Sequence, residues 1–406
     1  MIGHIRKNSY FSRIDTTMRQ LLILLLFTTG LCVAQQKTIK GIIKDVTTLE
    51  PVAMATVTVD NTNISTVANA EGSFRIILPA NAKSITVSHL SYKTYNFSPD
   101  KSNDNLEVFL EPGGIMLEEI VVTNKPVNEI LEEIVGNSRK RLEKSVLLHT
   151  YYREFVKVND VYTKFADGLL DYYVKRKSGV SDLQVKQSRS SRLVDAGTTK
   201  REQMTDALYL FDVREAIADA YSFKGIRNVL SSPNYTFELR VRTDKNGKSV
   251  EIIKIIPKPE VEKILMEGFV VYDPATKLIL EMDINYSEAH KKYIAEINAL
   301  VMKFTLLDES KKTGFKVEGT KYIMTYNKHR ANFHAKMGNK LDDTFDFVSD
   351  IVAMDYKDGE FELDKKLKYK EKSLFAAGTH FTEEFWKTNN TLLPTEAEEK
   401  VIQSLK

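Results

Sequence analysis

The chain carries seven histidines, His4, His89, His149, His290, His329, His334 and His380, and a single cysteine, Cys32. A catalytic zinc would take two or three such histidines plus a carboxylate, spaced so that one face presents the ligands. His329 and His334 stand five apart, which matches neither a helical i,i+4 pair nor same-face positions of a strand, and His149 and Glu154 share that mismatch. Zinc peptidase chemistry is therefore not expected, and no metal or cofactor site is assigned. Acyl transfer and nucleotide chemistry fare no better, because the sequence holds no G-x-S-x-G, no G-x-G-x-x-G and no complete P-loop. The acids Asp342, Asp343, Asp346 and Asp350 offer oxygen ligands for calcium, but the ordered loop with its central Gly and terminal Glu is missing, so they read as a solvated acidic turn. Tyr151, Tyr152, Tyr172 and Tyr173 could stack on sugars, yet Tyr also suits half-buried strands, which is the reading taken here.

Composition sets the frame for these residues. The 406 residues hold 58 basic and 55 acidic side chains, 42% hydrophobic residues, 18 Gly and 10 Pro. That length suits two globular domains. One cysteine excludes an internal disulfide framework or a cysteine zinc module. A net charge of +3 gives no pull toward nucleic acid.

Residues 21–34 read LLILLLFTTGLCVA after Arg6, Lys7, Arg13 and Arg19. The uncharged run is too short to span a bilayer and has the layout of a secretory signal peptide. Small residues at Cys32 and Ala34 place cleavage between Ala34 and Gln35, and either Met1 or Met18 can serve as the start. Leu31 before Cys32 argues against lipid attachment. Cleavage would remove four basic residues and one acidic residue, leaving 54 of each sign and no cysteine. No second apolar run follows, so no transmembrane helix is expected in the mature chain. The expected location is the periplasm or the outer membrane.

Residues 37–112 alternate strand patterns with turns, including an Asn-Ala-Glu-Gly turn at 69–72. Five to seven short strands in this length predict a β-sandwich. Gly72 suits a turn position with φ above zero, Asn69 can cap that turn, and Phe74 then points into the core. The order of Gly41, Ile43, Asp45, Pro51, Ala53, Ala55, Val57, Val59, Thr66, Asn69, Gly72, Phe74, Ser88, Tyr92 and Lys93 resembles the carboxypeptidase regulatory-like domain. The resemblance implies a transthyretin (prealbumin)-like sandwich that packs and binds rather than catalyses.

Residues 113–125 read as a linker with Gly113-Gly114 as a hinge, so the two domains need not move as one body. Leu117, Glu118, Glu119, Ile120, Val121, Val122 and Thr123 resemble the segment that follows this sandwich in Bacteroidetes TonB-dependent receptors of the SusC type. About 280 residues remain, too few for the 22-stranded barrel of those receptors. The resemblance leaves Leu117, Ile120, Val121 and Val122 as a partner-binding strand or, more simply, an edge strand entering the second domain.

Residues 126–406 begin with an amphipathic helix. Pro126 starts it, and Ile130, Leu131, Ile134, Val135, Ser138 and Leu142 form its apolar stripe. Strand patterns follow around an Asn159-Asp160 turn. Residues 178–207 are polar and basic and read as a mobile loop or an extended edge. Residues 212–230 predict a single second helix, stopped by Ser231-Ser232-Pro233. From 235 onward hairpins recur, with Asn246-Gly247 and Asp273-Pro274 at turns. Trp386 and Phe385 are expected to anchor the tail, and a short capped helix should start at Thr395. Eight to ten antiparallel strands with two or three helices predict a curved sheet or half-barrel, mainly β and α+β in class. The GFVVYDPATKLILEMDI hairpin is similar to outer-envelope lipoprotein-carrier folds. The whole arrangement resembles Bacteroidetes proteins that carry the carboxypeptidase-like regulatory domain.

The functional expectation is an exported, non-enzymatic envelope protein. Its sandwich would make contacts, and its curved domain would hold an envelope partner or a hydrophobic or glycan ligand. A lipid or lipoprotein carrier would instead need an open apolar concavity. A hydrolase without a motif would need a cleft with coupled titratable groups.

Overall fold

Seven short strands account for the first domain: β1 (Lys37–Asp45), β2 (Thr56–Val59), β3 (Ser65–Val67), β4 (Ser73–Leu78), β5 (Ile85–Ser88), β6 (Tyr95–Phe97) and β7 (Leu106–Leu110). The computed structural model describes residues 37–99, 106–113, 119–142, 145–175, 181–192, 212–243, 249–299, 301–380 and 390–404. The strands form two sheets, ordered β4-β1-β7 and β3-β2-β5-β6, closed over a core of Ile39, Ile43, Val57, Phe74, Ile76, Val87 and Val108. The 69–72 turn is built as its residues predict. Asn69 Oδ1 accepts from the amides of Glu71 and Ser73, both at 2.9 Å, Gly72 sits at φ +73°, and Phe74 is fully buried. Gly41 is needed for close approach, since a Cβ there would lie 2.5 Å from the Leu106 carbonyl oxygen of the parallel neighbour β7.

The second domain is one antiparallel sheet of twelve strands. It begins with β8 (Glu119–Ile120), then β9 (Val146–Val158), β10 (Val161–Val174) and β11 (Ser181–Arg192). It continues with β12 (Tyr235–Thr243), β13 (Ser249–Pro257), β14 (Met266–Asp273) and β15 (Leu278–Tyr286). The last four are β16 (Ile297–Ala299), β17 (Met302–Glu318), β18 (Lys321–Met337) and β19 (Leu341–Asp358). The spatial order is β11-β10-β9-β19-β18-β17-β15-β14-β13-β12-β8, with β16 on β17. The chain therefore enters at one edge, crosses to mid-sheet at β9, runs out to β11, and returns to the first edge for a meander that closes on β9. Three elements lie outside the regular hairpin pattern that predicts eight to ten strands: β8 falls in the segment that reads as an edge strand, β11 in the segment that reads as a loop or extended edge, and β16 is not separately resolved in the sequence. β8 and β16 are too short to show a period, and β11 is a polar edge strand whose apolar residues do not alternate. Residues 181–192 are thus the extended edge of the two options open for 178–207, while 193–211 lie outside the described residues, as do the Asn246-Gly247 tip, Phe385 and Trp386.

Adjacent residues of the long strands point to opposite faces. Tyr152, Leu170 and Ile351 join the large core under the helices, while Tyr151, Leu169 and Val352 join a separate cluster on the other face. The helix-side core is covered by α1 (Val127–Arg141), α2 (Ala216–Ser222) and α3 (Lys224–Leu230). On α1 the buried residues are Leu131, Ile134, Val135 and Ser138, and Arg139, Lys140 and Arg141 occupy the last turn, where their charge opposes the helix dipole. The single helix expected over 212–230 is instead broken in two. Phe223 takes a left-handed conformation at φ +51° and is fully buried, with its ring 5.4 Å from that of Phe315. Burying that aromatic ring outweighs the modest cost of a non-glycine residue in this conformation.

The C-terminal helix α4 (Glu396–Ser404) starts where expected. The Glu398 amide donates to Thr395 Oγ1 at 3.3 Å, and the Thr395 amide donates back to Glu398 Oε2 at 2.8 Å, a reciprocal capping box. Thr395→Ala is expected to cost about 1 kcal/mol, read as a lower denaturant midpoint with an unchanged slope.

Candidate functional site

The sandwich is docked on the face of the large sheet opposite α1, α2 and α3, the face that also carries α4. Asn63 Nδ2 donates to the Tyr356 carbonyl at 3.0 Å, and Ser65 Oγ donates to the Ala353 carbonyl at 3.2 Å, so β3 lies against β19. Val67 and Met54 pack with Tyr151, Tyr326, Val352 and Met354 of the sheet and with Leu392 of the tail. The tail is the third party to this interface. Asn390 Oδ1 accepts from the Ile77 amide at 2.7 Å, and the Pro394 carbonyl accepts from Asn69 Nδ2 at 3.1 Å. From the sheet side, Arg153 is 4% exposed and pairs with Asp350 at 2.7 Å and with Glu398 at 2.9 Å. Burial pulls the Arg153 pKa down, but Asp350 and Glu398 more than offset that pull and hold it above the usual range. Residues 390–398 thus form a strap bonded to both domains. The Gly113-Gly114 hinge predicted from sequence joins two bodies that are in contact beyond the linker.

Among the described residues, two crevices flank the contact. The larger is a cavity of about 560 Å³ between the outer face of β2 and β5 and strands β12, β13, β15, β17 and β18. Its sandwich wall carries Thr56 opposite Ser88 and Thr58 opposite Thr86, because the two strands pair in that register and their inner residues, Val57, Val59, Ile85 and Val87, fill the core. On the opposite wall Tyr326 donates to Glu281 at 2.5 Å, Lys312 pairs with Glu281 at 3.3 Å, and Lys316 pairs with Glu318 at 2.9 Å. Burial raises the Tyr326 pKa and the adjoining Glu281 raises it further, so its hydroxyl stays protonated. His89 lies at the sandwich end. Burial, with Lys312 and Arg242 facing it, lowers its pKa to about 4, so it is neutral at pH 7.

That depression carries a pH signature. The unfolded chain protonates His89 near its ordinary value of 6.5 while the folded chain resists until about 4. The contribution to stability is intact above pH 6.5 and is lost progressively as pH falls toward 4. A thermal melt series over that window should show a declining midpoint, and His89→Gln should flatten the decline. Glu309 adds a separate loss lower down. Burial would raise its pKa, but His329 and Lys311 hold it near 2, so its contribution disappears between about 4.5 and 2.

The smaller crevice, about 420 Å³, holds His149 Nδ1 at 2.7 Å from Asp171 Oδ1, with Asp355 in register on the other side. Among the described residues lining it, the hydroxyl is Thr150, whose Oγ1 donates to the Leu170 carbonyl at 3.0 Å. Among the described residues lining this crevice, no hydroxyl is aimed at the dyad.

The other residues weighed for chemistry are engaged structurally. Asp342 pairs with Lys336 and His334, Asp343 accepts from Asn159, Asp346 pairs with Arg330, and Asp350 pairs with Arg153. The acidic run is therefore not a solvated turn but a strand whose carboxylates are each ion-paired or hydrogen-bonded. No group of three or more metal-ligating side chains is gathered among the described residues. Tyr151, Tyr152 and Tyr172 are buried and present no stacking surface. One pair at H-x-x-E spacing does occur, His380 and Glu383. His380 is exposed and its backbone bridges to Ser188 at the sheet edge, in extended rather than helical conformation, and Glu383 lies outside the described residues.

Of the sandwich residues singled out in the sequence, Gly41, Asn69, Gly72 and Phe74 build turn and core as above. Pro51 bridges to Lys44, and Tyr92 bridges to Pro112. Burial and the Asp45 carboxylate push the Tyr92 hydroxyl up to about 12. Tyr92 also lines the larger cleft. In the linker, Ile120 and Val121 bond to β12 through Arg240 and Leu239. Ile120 and Val122 remain exposed. Ala34, Gln35 and Leu117 lie outside the described residues. The helix-side face, where a carrier would need an open concavity, is filled by the side chains of α1, α2, α3 and the sheet. Sequence reasoning missed Asn63, Ser65, Arg153 and Asn390, whose partners lie about 200–310 positions away.

A two-sheet β-sandwich docked on a larger antiparallel sheet defines the class of the first domain. Residues 39–122 match the CarboxypepD_reg-like domain family. The match spans the sandwich and runs on through β8, about a fifth of the chain. No curated protein matches the chain. None of the helices among the described residues is long and apolar enough to cross a membrane.

Proposed function

We propose that this is an exported, non-catalytic envelope protein that binds a ligand or partner in the cleft between its sandwich and its sheet. One observation carries the reading. The docked domains share a walled cavity of about 560 Å³, within the size range of small-ligand sites, and it draws side chains from both domains. Two further features support it. The matched family is a regulatory-type domain, and the buried charges near the interface are spent on one another: Arg153 with Asp350 and Glu398, and Asp167 with Arg189. Export rests on the leader pattern of residues 1–34.

The test is fractionation of expressing cells with N-terminal sequencing. The expected product begins at Gln35 and sits in the envelope fraction. An intact leader in the cytoplasmic fraction would contradict export. A panel of ester, peptide and glycoside substrates is expected to give no turnover above blank, and turnover lost with His149→Ala would contradict the non-catalytic reading.

A further inference from the structure

The larger cleft selects among ligand chemistries, and this deepens the binding reading above and rests on it. Nine of its lining residues carry a hydroxyl, among them Thr56, Thr58, Ser88 and Tyr326. An acyl chain would strip water from these hydroxyls and return no hydrogen bond. A fixed anion would face Glu281 and Glu318, and a fixed cation would face Arg242 and Lys316. Both glutamates already have lysine partners, at 3.3 and 2.9 Å. The two other lining acids are also engaged, Asp60 accepting from Thr86 and Asp273 from the Ala275 amide and Thr276. Each lining carboxylate thus already has a partner, and what the cleft offers a ligand is chiefly neutral donors and acceptors.

The recognition is by side chains. β2 is paired on both edges, with β3 and β5, and β5 is paired with β2 and β6. The wall is a sheet face with its backbone groups consumed, so an extended peptide cannot add to it as a strand. The Ser91 amide donates to His89 Nδ1 at 3.1 Å, which places the ring proton on Nε2 and makes that nitrogen a donor. The Tyr92 ring stands edge-on to His89, with centroids 5.2 Å apart, and supplies aromatic surface in the same wall.

We propose that the interdomain cleft binds a neutral saccharide of a few sugar units, held between the Thr56, Thr58, Thr86 and Ser88 face and the Glu281–Tyr326 wall. Such a ligand is uncharged, brings paired donors and acceptors, and has apolar ring faces for Tyr92. Only Thr86 in that grid has two side-chain partners already, Asp60 at 2.5 Å and Asn96 at 2.6 Å, which orient it.

The experiment is saturation-transfer NMR with calorimetry on the full chain, using maltotriose, cellotriose, xylotriose and chitotriose as probes. The expected result is binding of at least one with a dissociation constant of about 1 mM or tighter. Thr58→Lys and, from the opposite wall, Ser249→Lys should each weaken it about tenfold or more while the thermal midpoint holds. Two variants on separate domains keep the test decisive if one misfolds. Saccharide binding untouched by both variants would overturn the assignment. Trigalacturonate and dodecanoate are titrated in parallel. If either binds, sensitive to Thr58→Lys, while the neutral probes do not, the saccharide assignment falls and the cleft stands as the ligand site. If no probe binds, both fall.

Discussion

Arg153→Ala is expected to cost about 3–5 kcal/mol and to loosen the sandwich from the sheet. The cost follows from what remains. Asp350 is 5% exposed and would lose its guanidinium partner, and Glu398 would lose an ion pair that, with Ile402 packed on Phe155 and Phe165, holds α4 to the sheet. Removing one member of a buried ion pair leaves an uncompensated charge, the expensive case. Lys328 stands 4.0 Å from Asp350 and offers only partial compensation. The measurement is chemical denaturation together with limited proteolysis. A fall in midpoint with earlier cleavage between residues 113 and 126 is the expected pair of results. Asp350→Asn in the Arg153→Ala background should recover part of the loss, because it removes the stranded charge. No recovery would indicate that lost packing rather than charge dominates.

Gly72→Val should be as damaging within the sandwich. The backbone there is at φ +73°, which a β-branched residue adopts only under strain, and a Cβ would run into the Ile43 carbonyl. The left-handed conformation costs roughly 1–2 kcal/mol and the forced shift of a backbone neighbour roughly 1–3 more. That is a large share of the stability of a small domain. The turn it breaks also presents Asn69 to the Pro394 carbonyl, so the effect should reach the strap. A calorimetric scan is expected to show the sandwich melting before the sheet, in two transitions rather than one. A single transition at an unchanged temperature would contradict this account of the turn.

Local chemistry made much of the fold readable. The 69–72 turn, the buried Phe74, the stripe of α1 and the cap at Thr395 each depend on residues within one or two turns of one another. The Asp273-Pro274 hairpin is of the same kind. The split at Phe223 was not readable, because the ring of Phe315 that stabilises it lies on β17, far along the chain. β11 was ambiguous because its polar residues are tied by tertiary partners, Arg189 to Asp167 and Ser188 to the His380 backbone. The cleft was not readable at all. Thr56, Thr58 and Ser88 look like the solvated face of a sandwich until the second domain is set against them. The docking contacts explain why, since Asn63, Ser65 and Asn390 are polar loop and strand-end residues with no periodic signal of their own.

The central claim is that the docked domains share one binding cleft, and site-specific photo-crosslinking in intact envelopes tests it most directly. A benzoylphenylalanine placed at Thr58, inside the cleft, is compared with one at Glu50, exposed elsewhere on the sandwich. The account predicts a discrete light-dependent adduct at Thr58 and none at Glu50. Equal adducts at both positions, or an adduct at Glu50 alone, would contradict it.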